Sequence, residues 1–442
     1  MTPRALKALE RRLEEFLDDL TEPMGRRERR HWARVYVEGL LLDGERKSIE
    51  PLAQRTGTDV QALRQFVGQS PWAVAQVQRR LAEKVVDLLR EPEVWILDET
   101  AFPKAGEHSV GVARQYCGSL GKVANCQVAV SLHWSSPEAS CPLLWRLYLP
   151  KEWLEDAARA AEVKLPPGEA YRTKTELALE LIEQALAWDL PRLPVVADSF
   201  YGNDFAFRAA LRERQLSYVV EVEPTTVVWT EDPHRPLPAA KKTGRPRRYP
   251  PLEALPRPQT LRAVAEQLPP SAWRTVAWRE GSRGVQRSRF ARLPVWAAHG
   301  WRKQEHPPRV PEWLLVEWPP GAATPRKYWL AQLAESAQGE LRRWVRLARA
   351  RWRVELDYRQ LKDELGLDHF EGRHWLGWHH HVCLVSIAYA FLRSEQARLK
   401  TNFWCDLEPP QRQAESARPA DETQRLVPLV SVAVRRLFMN LT

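Results

Sequence analysis

The sequence predicts an α/β protein: a mixed sheet flanked by helices, preceded by an all-helical N-terminal domain and interrupted by a β-rich insertion. Three observations carry that expectation. Residues 1–90 read as a succession of amphipathic helices. Two short apolar runs, Glu93–Asp98 and Leu193–Asp198, look like central strands of a sheet covered on both faces, and each closes on a carboxylate. Residues 224–325 hold 18 of the chain's 35 prolines, a compositional break ahead of a strongly helical stretch. The expected segments are 1–90, helical; 91–223, the first part of the core; 224–333, the insertion; 334–395, the rest of the core; and 396–442, a polar linker and a terminal helix.

In the first segment, charge is dense at Arg26, Arg27, Arg29 and Arg30. Ser48 is placed to cap a helix carrying Ile49, Leu52 and Ala53; Gly57 makes a turn, and Thr58 caps a second helix with Val60, Leu63, Phe66 and Val67. Ala53, Gly57 and Leu63 have the spacing of a helix-turn-helix over residues 48–67, where small residues let two helices cross closely. Gln61, Arg64 and Gln65 then face outward as candidate DNA contacts. A plain helical hairpin gives the same pattern. Ser70-Pro71 opens a further helix that runs to Arg90.

The core begins with the Glu93–Asp98 strand. Val110–Tyr116 and Val123–Trp134, joined by Gly118–Gly121, complete an antiparallel meander, and Leu143–Leu149 adds an edge. Lys104 and Arg114 follow the first acid, placed either to touch phosphates or to be solvated loop charges. A helix over Glu176–Leu190 leads to the Asp198 strand, a turn at Ser199–Gly202, an N-cap at Asn203, a helix over Asp204–Arg214 and a strand at Tyr218–Val222. In the insertion, strands are expected at Thr275–Trp278, Val285–Leu293, Trp313–Trp318 and Lys327–Leu333. Lys241, Lys242, Arg245, Arg247 and Arg248 surround a Gly-Arg-Pro core. Such an arm can enter an A·T minor groove or remain a solvated loop.

Arg342–Leu367 reads as one long helix, with Leu347, Ala350, Val354, Tyr358, Leu361 and Leu365 on its buried stripe. Arg351, Glu355 and Lys362 fall within about 40° of one another beside that stripe. Taken alone, such a line reads first as a solvated face with an i,i+4 ion pair. His379, His380 and His381 point in different directions on a helix and cannot together bind one metal. Val382–Leu392 is an apolar helix, 408–424 a polar linker, and Val427–Leu441 an amphipathic helix.

Two strand-end aspartates and a helix glutamate are hard oxygen donors that can hold two divalent ions about 3.5–4 Å apart, a pattern suited to phosphoryl transfer. The order Asp98, Asp198, Glu355, with Arg-x-x-x-Glu-x-x-x-x-x-x-Lys around the glutamate, resembles the DDE transposases of bacterial insertion sequences. Within them it is most similar to the cut-and-paste group with a Tyr-Arg-Glu-Lys signature. The blocks Asp98–Lys104, His108–Tyr116, Asp357–Lys362 and Phe370–Arg373 carry the resemblance, which spans roughly residues 90–395. The signature tyrosine falls at Ala348, a departure from the pattern.

The resemblance implies an RNase H-like core and two Mg²⁺ ions, with Mn²⁺ as a substitute, held by Asp98, Asp198 and Glu355. It also implies phosphate contacts by Arg351 and Lys362. The expected activity is cleavage at transposon ends and strand transfer into target DNA by a homodimer on paired terminal inverted repeats. Two other classes remain open: a transposase-derived DNA-binding protein without catalysis, and an RNase H-like nuclease or resolvase that cuts without joining. A net charge of +10 suits a polyanionic partner, and of the 20 tryptophans most are expected in the core, while flat aromatics among arginines can also serve base stacking. Five scattered cysteines argue for a reducing compartment. With no signal peptide and no bilayer-length apolar run, the expected location is the bacterial cytoplasm, at the nucleoid when bound to DNA.

Overall fold

The computed structural model describes residues 3–89, 91–137, 139–234, 255–281, 284–300, 308–334 and 340–406. Lys241, Lys242, Arg245, Arg247 and Arg248, and the linker and helix expected over 408–441, lie outside the described residues. The chain divides into two compact units, Met1–Pro191 with Trp352–Thr442, and Arg192–Arg351.

The first unit opens with five helices: α1 (Pro3–Thr21), α2 (Arg27–Leu41), α3 (Ile49–Thr56), α4 (Val60–Gln69) and α5 (Val74–Leu88). Gly57 ends α3 in the left-handed region (φ 62°), and the Thr58 N–H turns back to the Ala53 carbonyl at 3.0 Å. Asp59, not Thr58, caps α4: its carboxylate accepts from the Ala62 N–H at 2.7 Å, the charged acceptor taking the cap one residue on. Gly39 lets α2 and α3 approach, since a Cβ there would stand 2.9 Å from Leu52 Cδ2.

Strands β1 (Val94–Pro103), β2 (Ala113–Cys117), β3 (Lys122–Ser135) and β4 (Ser140–Leu147) follow, then α6 (Lys151–Glu155), α7 (Ala157–Glu162) and α8 (Lys174–Ala187). The expected meander is corrected in its order. β1 pairs with β3 directly, from Val94↔Ser135 to Pro103↔Cys126. The other edge of β3 carries β2 on its first residues and β4 on its last. β3 has 14 residues, long enough to seat two short partners end to end. α8 starts at a capping box of Thr173 and Glu176.

The second unit contains β5 (Val195–Ala197), α9 (Ser199–Gly202), α10 (Phe205–Glu213), β6 (Tyr218–Val222), β7 (Val227–Trp229), β8 (Gln259–Thr260), α11 (Leu261–Glu266), β9 (Arg274–Gly281), β10 (Gly284–Ala297), β11 (Glu312–Trp318), β12 (Lys327–Gln332) and α12 (Leu341–Arg349). β5 and β6 are parallel; the order continues β12, β11, β10, β7, β8, antiparallel throughout, with β9 on β10. The four strands expected in the insertion are β9 to β12; the short β7 and β8 carry too few residues for an alternation to register. Asp204, rather than Asn203, caps α10, accepting from the Ala206 N–H at 2.8 Å.

The chain returns to the first unit with α13 (Trp352–Asp363) and α14 (Trp375–Asp406). α2, α4 and α5 all pack on α14, and the three histidines explain how polar groups sit in that contact. His380 Nδ1 lies 2.8 Å from the Val67 carbonyl, with its ring stacked 3.8 Å from Trp72. His381 Nδ1 lies 2.8 Å from Tyr36 Oη, and His379 Nδ1 lies 3.0 Å from the Trp375 carbonyl. Burial lowers these rings to about 3 for His379, 4 for His380 and 3 for His381, so they stay neutral. Mixed strands flanked by helices, with an N-terminal helical part and a β-rich stretch after β6, give the chain an α/β, RNase H-like fold.

Candidate active site

Asp98 lies within β1, which continues five residues beyond it, so the expectation of a strand end is corrected. The continuation, Glu99–Pro103, stays paired with Cys126–Val130, which holds it in the sheet despite its polar start. Asp98 is 6% exposed, and its Oδ1 accepts from the Glu99 N–H at 2.8 Å. A carboxylate this dry is costly unless a cation or donors compensate it.

Strand alternation puts Ile96 and Asp98 on one face with their cross-strand partners His133 and Ser131. α13 covers that face and runs along β1. Arg353 Nη1 donates to Glu93 Oε2 at 2.9 Å near the start of the strand, and Lys362 Nζ donates to the Ala101 carbonyl at 2.7 Å near its end. Between them, Tyr358 Oη and Ser131 Oγ are 2.7 Å apart. Burial, and after it the charge of Asp98, push the Tyr358 hydroxyl well above its ordinary pKa, so it keeps its proton. Glu355, one turn before Tyr358, is exposed on this same helix. The opposite face carries Glu99, whose Oε1 accepts from Lys174 of α8 at 2.7 Å.

Asp198 does end its strand. It follows β5 and caps α9, accepting from the Phe200 N–H at 3.0 Å. Burial raises its carboxyl above the usual range, while the Arg351 guanidinium and the N–H groups of Tyr201 and Phe200 pull it back.

The single helix expected over Arg342–Leu367 is two, α12 and α13, with Ala350 and Arg351 in a turn. One apolar stripe continues through the sequence, but its halves serve different cores. Trp344, Val345, Leu347 and Ala348 are buried on α12, which packs on β6 and β9; Val354, Tyr358 and Leu361 are buried on α13, which packs on β1 and β4. Arg351 therefore does not share a helix with Glu355 and Lys362. Ala348, at the signature tyrosine position, is 4% exposed.

Of the other candidate DNA contacts, Arg114 is exposed on β2, and Gln61 and Arg64 are exposed on α4, where Arg64 pairs with Glu50 at 3.0 Å. Lys104 donates to the Phe370 carbonyl, and burial pushes its pKa down to about 8. Sequence reasoning missed His133, Ser131 and Asp357, which join Tyr358 in a buried polar chain beneath this face. The only trace in the sequence is a histidine and two serines at alternate positions in the otherwise apolar second half of β3.

Aspartate and glutamate oxygens are the donor type that Mg²⁺ takes, and the dry Asp98 and the raised Asp198 carboxyl are groups whose charge a cation would stabilise. Among the described residues no three His, Cys, Asp or Glu side chains stand gathered as a ready metal cage.

A family model described as a DDE superfamily endonuclease matches residues 15–285, more than half of the chain. The match includes Asp98 and Asp198 and stops short of Glu355. A probable transposase for insertion sequence element IS701 of Microchaete diplosiphon is 33% identical over 187 residues, which is 42% of this chain and 46% of that protein. The chain thus matches less than half the length of this curated relative. With both strand aspartates inside the matched region and an α/β fold to carry them, the chain belongs to the DDE superfamily of endonucleases.

Proposed function

We propose that the chain is a DNA transposase that cleaves at the ends of its element and transfers the freed strand into target DNA. The observation that supports this reading is the shared face of Asp98 and the Glu355-bearing helix, in a chain of the DDE endonuclease superfamily. Asp98, Asp198 and Glu355 are the residues that would hold divalent ions, Mg²⁺ or Mn²⁺. When bound, such ions lower the pKa of a water and stabilise a leaving oxygen.

The protein's own groups do the rest. Arg351 offsets the charge of Asp198 and would meet a phosphate near it. Lys362 has one of its three donors on Ala101 and two further N–H groups for a backbone phosphate. Arg114, Gln61 and Arg64 serve duplex binding, as do Lys104 and the basic stretch Lys241, Lys242, Arg245, Arg247 and Arg248. The substrate is double-stranded DNA with terminal inverted repeats, engaged by a homodimer in the bacterial cytoplasm. No helix among the described residues is long and apolar enough to cross a membrane.

The test uses a duplex carrying the DNA that flanks the gene. Wild-type protein should nick it in Mg²⁺ and join it to a second duplex. Asp98→Asn, Asp198→Asn and Glu355→Gln should each bind it with near-normal affinity and leave it intact, since duplex affinity rests on cations rather than on these acids. Normal cleavage by any one variant removes that residue from the assignment.

A further inference from the structure

The proposed chemistry leaves the buried polar chain in the first unit without a use. Asp357, fully buried on α13, accepts from His133 Nδ1 at 2.9 Å, Ser140 Oγ at 2.6 Å, Tyr389 Oη at 2.7 Å and Arg393 Nη2 at 3.0 Å. Burial alone would raise its carboxyl; the hydrogen bond from His133 and the charge of Arg393 reverse this, and the group is held below the usual range. A carboxylate only accepts, so His133 presents Nδ1–H to it. The other ring nitrogen, Nε2, lies 2.9 Å from Ser131 Oγ, which in turn lies 2.7 Å from Tyr358 Oη.

Serine, histidine and aspartate thus stand in the order of a nucleophilic triad, yet each is 0% exposed. No substrate reaches this hydroxyl. A satisfied buried network of this kind rigidifies what it joins. Here its last two members are telling: Ser131 is the cross-strand partner of Asp98, and Tyr358 stands one turn from Glu355.

We propose that the Tyr358–Ser131 hydrogen bond, backed by His133 and Asp357, is a strut that sets the register of the Glu355 helix against the Asp98 strand. Tyr358 is thereby a positioning residue for the divalent-ion site. The inference rests on the reading of Asp98 and Glu355 as ion-holding groups. Outer partners of metal ligands typically change ion affinity by roughly 10- to 100-fold when removed.

Mn²⁺ binding to the intact chain, followed by electron paramagnetic resonance without DNA, tests it on wild type, Tyr358→Phe, Ser131→Ala, Ser131→Thr and Asp98→Asn. Tyr358→Phe keeps the ring and its packing, so it should fold and yet weaken Mn²⁺ binding roughly tenfold or more. Ser131→Ala should match it, and Ser131→Thr, which restores a hydroxyl, should recover most of the affinity. Asp98→Asn should abolish Mn²⁺ binding and leave the free-ion signal at full strength. If Tyr358→Phe and Ser131→Ala lower only the melting temperature and bind Mn²⁺ as wild type does, while Asp98→Asn does not, the strut is overturned and the ion site stands. Wild-type Mn²⁺ binding by Asp98→Asn overturns the ion site itself.

Discussion

Replacing Glu312 by Gln in the second unit should be among the most destabilising single changes in the protein. Glu312, at the start of β11, is 2% exposed and faces Arg208, which is fully buried. Arg208 Nε donates to Oε1 at 2.7 Å and Nη2 to Oε2 at 3.2 Å, while Tyr218 Oη donates to Oε1 at 2.6 Å. Burial opposes the charge, but Arg208, Arg212 and Tyr218 overcome it and hold the carboxyl down at about 2 against an ordinary 4.5. That gap of roughly 2.5 pH units corresponds to about 3 kcal/mol. The folded pKa is depressed, so this stabilisation is fully present above about pH 4.5 and is lost as pH falls toward 2. Glutamine removes the charge and leaves Arg208 buried without its counterion, a loss of about 3–5 kcal/mol. Urea unfolding followed by tryptophan fluorescence at pH 7 and at pH 3 measures it. The wild-type and variant curves should be separated by several kcal/mol at pH 7 and draw together in acid. A gap under about 1 kcal/mol at pH 7, or one that does not change with pH, refutes the reasoning. The change also reaches toward Asp198, because Arg208 Nη1 donates at 2.6 Å to the carbonyl of Gly202, the last residue of the short helix that Asp198 caps.

Two further outcomes follow from single contacts. Gly366 has φ +66°, and a Cβ on it would fall 2.4 Å from Lys47 Cβ and 2.7 Å from His369 Nδ1, so Gly366→Ala should lower stability by about 2–4 kcal/mol in the same urea assay. Lys362→Met keeps the length of the side chain but leaves the Ala101 carbonyl without its donor; it should cost about 1 kcal/mol in urea and reduce single-turnover cleavage at least tenfold, roughly the scale of losing a positioned charge, and unchanged cleavage would confine Lys362 to a structural tie.

Asp198 was legible because everything that places it is local: a β-favouring run, an acid, and a turn that the acid itself caps. Asp98 was legible as a residue and not as a position, since the polar start of Glu99–Pro103 resembles a strand end until Lys174, 75 residues away in sequence, neutralises Glu99. Periodicity located both halves of the 342–367 stretch yet joined them, because a stripe of apolar residues does not reveal which core it faces. Direction around a helix was enough to see that the three histidines point apart. Their partners, Val67, Tyr36 and Trp375, come in two cases from helices more than 300 residues distant, beyond any local pattern. The Ser131–His133–Asp357 chain was hidden for the same reason, its members being 224 residues apart across the His133–Asp357 bond.

The helix α14, on which α2, α4 and α5 pack, also sets an order of events during synthesis. The first five helices leave the ribosome early, while the surface that completes their burial is made only with Trp375–Asp406. At roughly 5–20 residues per second that interval lasts tens of seconds. Through it, the apolar faces around Tyr36, Val67 and Trp72 have no seat, and a nascent chain stopped anywhere before α14 leaves them open to chaperones and proteases. Only a polypeptide translated through α14 closes its own N-terminal helices.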